Sequence, residues 1–155
     1  MKKYILTFLL SMVPIFELRG GIPVGVGLGI DWKLAVVICM VGNMVPVPFI
    51  FFFARKVLEW GADKPVIGGF FNWCLKKGHK GGEKLKASAG RGMYWALFLF
   101  VGIPLPVTGA WTGTLAASML DLDFKKSILA VMGGVMLAAV IITTLTLLGF
   151  GAFVD

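Results

Sequence analysis

Residues 13–30 read Val-Pro-Ile-Phe-Glu-Leu-Arg-Gly-Gly-Ile-Pro-Val-Gly-Val-Gly-Leu-Gly-Ile. An acid, Glu17, and a base, Arg19, stand inside an otherwise apolar stretch that Pro14, Pro23 and repeated glycines keep from forming one smooth helix. A charge at bilayer depth costs at least ~2.5–3.5 kcal/mol, so an ionisable residue there is retained for a function and has a partner.

The bilayer follows from composition. The chain has 155 residues, 58% of them hydrophobic, with a mean hydropathy of +0.90. That is too apolar for a soluble domain of this length and points to one integral membrane domain, residues 1–155. The formal charge of +7 does not require nucleic acid, because the basic residues concentrate between apolar segments. Membrane orientation and anionic lipid account for them. Cys39 lies in an apolar span and Cys74 in an aromatic segment, which gives neither a disulfide framework nor a metal site, and His79 stands alone. No metal or cofactor is expected. Met1-Lys2-Lys3 and the apolar run after it imitate a signal peptide, but no small-x-small site follows, so the run reads as a retained membrane segment.

Either side of the opening stretch the runs are short. Tyr4 to Phe16 extends roughly 20 Å as a helix, against the ~30 Å of a hydrocarbon core, and Gly20 to Ile30 is similarly short. Arg19-Gly20-Gly21 frees the backbone to turn, and Pro23 suits the first turn of a new helix. Asp31-Trp32-Lys33 is an interfacial cluster. Leu34 to Ala54 is then a full-length uncharged span, with Asn43, Pro46 and Pro48 predicting a kink, and Arg55-Lys56 ends it.

Residues 55–91 hold nine Lys/Arg (Arg55, Lys56, Lys64, Lys76, Lys77, Lys80, Lys84, Lys86, Arg91). Val66, Ile67, Phe70, Phe71 and Cys74 recur there at helical spacing, which predicts a short amphipathic helix on the membrane surface. The run Lys76 to Gly82 lacks the spacing and preceding strand of a phosphate loop. It reads as a solvated loop touching anionic headgroups.

A second set of the same elements follows. Met93 to Ile103 is a short apolar run, Pro104-Leu105-Pro106-Val107-Thr108-Gly109 breaks it, and Ala110 to Leu120 resumes. Asp121 to Lys126 is interfacial, and Ser127 to Phe150 is another uncharged span. Shifted by 92, Asp31, Lys33, Met40, Gly42 and Met44 meet Asp123, Lys125, Met132, Gly134 and Met136; shifted by 88, Val13, Gly21 and Gly25 meet Val101, Gly109 and Gly113. Repeats with interrupted apolar segments at matching places point to a transporter's binding site.

The fold expected is all-α and integral to the membrane. It has two inverted repeats (4–54 and 93–150), each a re-entrant helical hairpin followed by a transmembrane helix, joined by a basic amphipathic cytoplasmic loop (55–91). Charge counting leaves the hairpins open. With re-entrant hairpins, the central loop shares the cytoplasmic side with Lys125 and Lys126, and Lys2, Lys3 and Lys33 lie opposite. With four crossings, Lys2 and Lys3 join the loop, and Lys33, Lys125 and Lys126 lie opposite. Both counts are eleven against three. Proline breaks between half-length runs favour the hairpins.

Phe16-Glu17-Leu18-Arg19-Gly20-Gly21-Ile22-Pro23, together with Gly102-Ile103-Pro104-Leu105-Pro106-Val107-Thr108-Gly109-Ala110-Trp111-Thr112-Gly113, resembles the small multidrug export protein family. These are short prokaryotic membrane proteins, and the likeness covers nearly the whole chain. The layout is also similar to the wider DedA superfamily of membrane transporters and lipid flippases, described as two re-entrant hairpins each followed by a membrane helix. Some of its members are implicated in recycling undecaprenyl phosphate or in proton-dependent transport. The resemblance implies a prokaryotic inner-membrane location and places Glu17 where those proteins carry an acidic residue. DedA proteins carry arginine in the second hairpin, whereas Gly102 to Leu120 has none and Arg19 is the buried base available.

If the hairpins hold, half-helices starting near Gly21 and Gly109 aim their N-termini at the midplane and attract anions. Arg19 adds a charge that grips carboxylate or phosphate with two bonds. Desolvation and a nearby cation pull a carboxyl's proton affinity in opposite directions, which makes Glu17 a candidate proton carrier. For a cationic drug, Glu17 is the counter-ion and Trp111 a cation–π face. The candidate substrate and proton site is therefore Glu17, Arg19, Gly20, Gly21, Pro23, Asn43, Pro104, Pro106, Thr108, Gly109, Trp111 and Thr112. The plainer alternatives are that Glu17 and Arg19 only neutralise each other, that Asn43 bonds between helices, and that the threonines satisfy freed carbonyls.

The function expected is a transporter or flippase for a small or amphipathic solute, drug-like or lipid-phosphate, working as a homo-oligomer. The alternative is a non-transporting assembly or chaperone protein with a structural Glu17–Arg19 pair. An enzyme is not expected, because no nucleophile–base pair, metal cluster or acid pair is present.

Overall fold

In the computed structural model, residues 1–89, 92–106 and 108–151 are described. The helices are α1 (Lys2–Met12), α2 (Glu17–Gly27), α3 (Trp32–Ala62), α4 (Gly68–Ala89), α5 (Met93–Gly102), α6 (Ala110–Met119) and α7 (Phe124–Gly151). No strand occurs among the described residues.

The first break falls earlier than the glycines suggest. Pro14 ends α1, the turn occupies residues 13–16, and α2 starts at Glu17, so Arg19, Gly20 and Gly21 are helical. Pro23 is an interior residue of α2 rather than part of its first turn. Having no N–H, it leaves the Arg19 carbonyl without its usual helical donor. A proline embedded in helix and a glycine pair in its first turns are tolerated because neighbouring helices cover this face.

That packing is tight. Lys3 Nζ donates to the Gly29 carbonyl (2.7 Å), so α1 and α2 lie antiparallel. A Cβ on Gly21 would stand 2.8 Å from Cys39 Sγ and 3.2 Å from Ser11 Cβ; one on Gly25 would stand 2.9 Å from Thr7 Cγ2 and 3.2 Å from Ala35 Cβ. Thr7/Ser11, Gly21/Gly25 and Ala35/Cys39 are thus three four-residue-spaced small stripes meeting along one line, the device that lets apolar helices approach closely. Thr7 and Ser11 turn their hydroxyls onto their own helix, to the Lys3 and Phe8 carbonyls.

The second set packs similarly. α5 lies along α7, where a Cβ on Gly134 would stand 2.7 Å from the Phe98 carbonyl. Gly42, 92 positions earlier, stands in the same relation to the Phe8 carbonyl, at 2.8 Å. Asp31 caps α3 through the Lys33 N–H (3.0 Å), and Asp123 caps α7 through the Lys126 N–H (2.9 Å). The two sets also interlock: α2 rests on α7, and α6 rests on α3.

α3 passes the expected stop at Arg55-Lys56 and continues to Ala62. Pro46 and Pro48 leave the Gly42 and Met44 carbonyls without helical donors. The chain then forms a five-residue π turn, Ile50–Ala54. There the Phe51 carbonyl accepts the Ser118 hydroxyl of α6 (2.6 Å). The expected central loop is also largely helical. α4 begins after Val66 and Ile67, with Phe70 and Trp73 exposed and Phe71 packed on Gly61. Arg91 lies outside the described residues, as do the side chains of Cys74, Lys77, Lys84 and Lys86.

Lys3, Gly29 and Asp31 lie at one end of the molecule. The other end is tied by Arg55, whose Nη1 meets Asp121 Oδ1 (3.2 Å), and by Tyr94, whose hydroxyl accepts the Asp123 N–H (3.2 Å). Only α3 and α7 are long and apolar enough to cross a membrane among the described residues, and their most apolar windows are just 39% and 28% buried by the protein. Such sparing cover suits lipid rather than a soluble core. α1, α2, α5 and α6 have 10 or 11 residues each, about 15–17 Å.

These glycine contacts set an expectation for stability. Gly42→Val and Gly134→Val each lower it by about 1–3 kcal/mol, while Gly149→Val, with nothing within 4 Å, changes it little. Thermal unfolding in detergent micelles measures all three.

Candidate functional site

The turns after α1 and α5 meet, and each has a polar problem to solve. A helix end leaves unpaired N–H or C=O groups, and burial away from water makes an orphan costly.

In the first turn, Val13 and Phe16 donate their N–H groups to the Leu10 and Val13 carbonyls, and Glu17 then opens α2 with a φ of 48°. A left-handed conformation is disfavoured for a side chain with a Cβ. It aims the Glu17 carboxylate across the junction, where Oε1 accepts the Trp111 N–H at the start of α6 (3.0 Å). An N-terminal turn has free N–H groups and partial positive charge, so a carboxylate suits it. The Trp111 indole answers in the opposite direction, with Nε1 donating to the Met12 carbonyl at the end of α1 (2.9 Å).

The second turn runs from Ile103, extended as a residue before proline tends to be, to Gly109. Thr108 organises it. Its hydroxyl oxygen lies 2.9 Å from the Ile103 carbonyl and 2.8 Å from that of Leu105, and it accepts the Leu105 N–H (3.2 Å). Arg19 completes the turn from α2: Nη1 donates to the Leu105 carbonyl (2.7 Å), and Nη2 donates to Thr108 Oγ1 (2.9 Å) and reaches the Ile103 carbonyl at 3.5 Å. One guanidinium thereby adds side-chain donors to two carbonyls of the turn, which also accept the Leu105 and Thr108 N–H groups (2.8 and 3.2 Å).

Glu17 is only 5% exposed. It forms no ion pair with Arg19 among the described residues; each crosses to the opposite turn instead. A simple neutralising pair is therefore replaced by separate bonds to the second broken segment. Gly109 makes the approach possible. Its φ is 142°, a region that side chains with a Cβ rarely adopt, and a Cβ there would meet both carboxylate oxygens of Glu17, 2.7 Å from Oε1.

The junction brings together Glu17, Arg19, Pro104, Pro106, Thr108, Gly109 and Trp111. Thr112 lies one turn into α6, with its hydroxyl 3.4 Å from the Gly109 carbonyl. Gly20 is covered by the Phe16 ring, Gly21 belongs to the α1–α3 packing line, and Pro23 sits farther along α2. The helix expected to start near Gly21 starts at Glu17. Asn43 is buried in α3, and its Oδ1 has no partner among the described residues. Met12, Ile103 and Leu105 were not foreseen, because they act through carbonyls that every residue possesses.

Gly109→Ala is expected to cost about 1–3 kcal/mol, the scale of a strained backbone position, and to displace Glu17. Gly69→Ala, in open space on α4, serves as the neutral control, and unfolding of the purified protein in detergent compares them.

A family model described as "Putative small multi-drug export protein" matches residues 17–141. No curated protein and no solved structure matches the chain. The matched stretch runs from Glu17, just past the first turn, through the second turn into α7, and with the two long apolar helices it makes this a membrane protein, consistent with a transporter. The chain belongs to the small multi-drug export protein family.

Proposed function

We propose that the chain is a multi-pass transporter or flippase of a prokaryotic inner membrane, a carrier rather than an enzyme. It moves a small or amphipathic solute, drug-like or lipid-phosphate, through the junction of two re-entrant hairpins. The single observation carrying this reading is that the two ionisable residues of α2 each bind the tip of the other hairpin: Glu17 at Trp111, Arg19 at Leu105 and Thr108. A buried acid and a half-buried base spent on a contact between two halves, in a hydrophobic slab, suit a junction that opens and closes.

The architecture supports the hairpins. Lys3 beside Gly29, and Tyr94 beside Asp123, bring the outer ends of the two limbs of each broken segment together at one end of the molecule. Limbs of 10 or 11 residues reach half-way through a ~30 Å core. This arrangement favours inverted repeats, the layout of the DedA superfamily, with Lys125 and Lys126 on the side of the central segment. Positive-inside counting then makes that side cytoplasmic. Trp60, Phe70 and Trp73 are exposed there, and Lys64 lies 4.7 Å from the Trp60 ring centroid, a surface suited to an anionic leaflet rather than to nucleic acid. Two long helices and two hairpins make a thin wall around a pathway, which suits a homo-oligomer.

In the arrangement seen, the polar groups of the junction satisfy one another. A substrate carboxylate or phosphate can take the place of the Leu105 and Ile103 carbonyls on Arg19, gaining a charge-assisted bidentate pair. Protonation of Glu17 removes its charge from the start of α6 and weakens that contact. Complete satisfaction within the chain also favours the second reading, a structural Glu17–Arg19 pair in a non-transporting assembly protein.

Flux measurements separate the two. In proteoliposomes, Glu17→Gln is expected to flatten the pH dependence of solute flux, and Arg19→Ala to lower the flux by roughly tenfold or more, as for a lost charge-assisted contact of about 1.5–3 kcal/mol. Flux insensitive to both, with a lowered unfolding temperature, gives the structural reading instead. Topology has its own test, in a background without Cys39 and Cys74. Tyr4→Cys and Leu28→Cys are expected to react with an impermeant thiol reagent from one face, and Val66→Cys from the other. Labelling of the first two from opposite faces overturns the first hairpin.

A further inference from the structure

One face of α6 carries a polar stripe the junction does not use. From Trp111, whose N–H binds Glu17, the positions one helical turn apart are Thr114, Ser118 and Asp121. They lead from the junction to the end of the molecule where Asp121 meets Arg55. This face packs on α3 along its proline-and-π segment. Two bonds fix the register, Ser118 Oγ to the Phe51 carbonyl and Asp121 Oδ1 to Arg55 Nη1. Counting back along both helices puts Thr114 level with Val47, and Ala110 level with Asn43. The first hairpin gives the same level independently: Gly42 lies against Ser11, and Met12 receives the Trp111 indole.

Two buried side chains at this level are unexplained, Thr114 on the stripe and Asn43 on α3. Thr114 and Asn43 are each only 1% exposed, and Thr114 Oγ1 and Asn43 Oδ1 have no hydrogen-bond partner among the described residues. Buried polar atoms are nearly always partnered, and where protein supplies no partner an internal water does so, given two or more polar groups to bind. The seam offers those groups: the two side chains, the Ser118 hydroxyl and carbonyls released by Pro46 and Pro48.

We propose that the α3–α6 seam is a water-threaded proton conduit, built from Asn43, Thr114 and Ser118, that connects Glu17 to the Arg55–Asp121 end of the molecule. It rests on the reading of Glu17 as the proton carrier and adds the route and the side of entry. A hydronium ion arriving at that end gives its proton to the chain and returns to water. Each hydroxyl and each intervening water accepts one proton and releases another. The last transfer makes the Glu17 carboxylate a carboxylic acid, and no other bond changes. At the entry Arg55 also binds Glu59 (3.0 Å), with Lys56 beside it in sequence. α4 packs on α6 as well, and its Lys76, His79, Lys80 and Glu83 are exposed. α6 has none within Ala110–Met119, α7 has Lys125 and Lys126 in its first turn, and α1 has Lys2, Lys3 and Tyr4 in its own. On α3, Lys33 and Arg55 lie toward opposite ends and Cys39 faces Gly21. Arg19, beside Glu17 on α2, faces the second turn.

The test follows the Glu17 acid directly, on the full chain in proteoliposomes of known orientation. A rapid acid jump is applied to one face, and the carboxylic acid carbonyl band is recorded by infrared spectroscopy and assigned by its loss in Glu17→Gln. The band is expected to rise faster when acid is applied to the Arg55 face. Thr114→Val, nearly isosteric, is expected to slow that rise by roughly tenfold or more with the same endpoint, the scale of a lost positioned proton relay, and Thr114→Ser to restore it. A Thr114→Val rise as fast as the parent's, or equal rates from both faces, overturns the conduit and leaves Glu17 a proton carrier. No band lost in Glu17→Gln at any pH overturns the carrier and the conduit together.

Discussion

A backbone that turns back among packed apolar helices must find partners for its own polar groups. An N–H or C=O buried there without one costs free energy comparable to a lost hydrogen bond. Here two interrupted segments meet that demand mutually. Glu17 takes the first N–H groups of α6, the Trp111 indole takes the last carbonyl of α1, and Arg19 takes the carbonyls of the second turn. Glu17 and the Trp111 indole serve the Trp111 N–H and the Met12 carbonyl, while Arg19 reinforces carbonyls that Leu105 and Thr108 also serve. Gly109 without a Cβ, the left-handed Glu17 and the small stripes that draw α1, α2 and α3 together all serve to bring these groups within reach.

The same demand explains why the charged residues do not bind each other. Glu17 and Arg19 are two apart on α2 and do not share a face of a helix. A direct pair would take Glu17 from the Trp111 N–H and Arg19 from the second turn, where the Leu105 carbonyl would keep only its Thr108 donors. Splitting the pair satisfies more groups, and it makes the contact between the two halves a matter of charge and proton count as much as of apolar packing. The seam along α6 extends that chemistry toward the Arg55 end of the molecule.

Much of this was legible in the residues. Apolar run lengths gave α3 and α7 as long helices and α5 and α6 nearly to the residue, since Pro104 and Gly109 bracket the second break cleanly. The first break was misplaced because two signals compete there. Gly20-Gly21 looks like a turn, yet Pro14 stops α1 first, and the glycines serve close packing against Ser11 and Cys39 instead. Pro23 misled for a related reason, since covering helices tolerate an interior proline. The extension of α3 past Arg55 was hidden because a charged pair marks the edge of an apolar span, not the end of a helix. Within the junction, Glu17, Arg19, Thr108 and Trp111 carry chemistry in their side chains and stood out. Met12, Ile103 and Leu105 contribute only carbonyls, and no residue type announces that. Which hairpin Arg19 would serve depended on tertiary placement alone.

The bonds at the junction join residues 84 to 99 positions apart, and this bears on biosynthesis. Ribosomes add about 5–20 residues per second, so Glu17 and Arg19 precede their partners by several seconds or more. Through that interval the nascent first broken segment holds an acid and a base with no second segment to receive them. Its entry into lipid must wait for the later segment, or shelter beside the insertion machinery until Trp111 emerges.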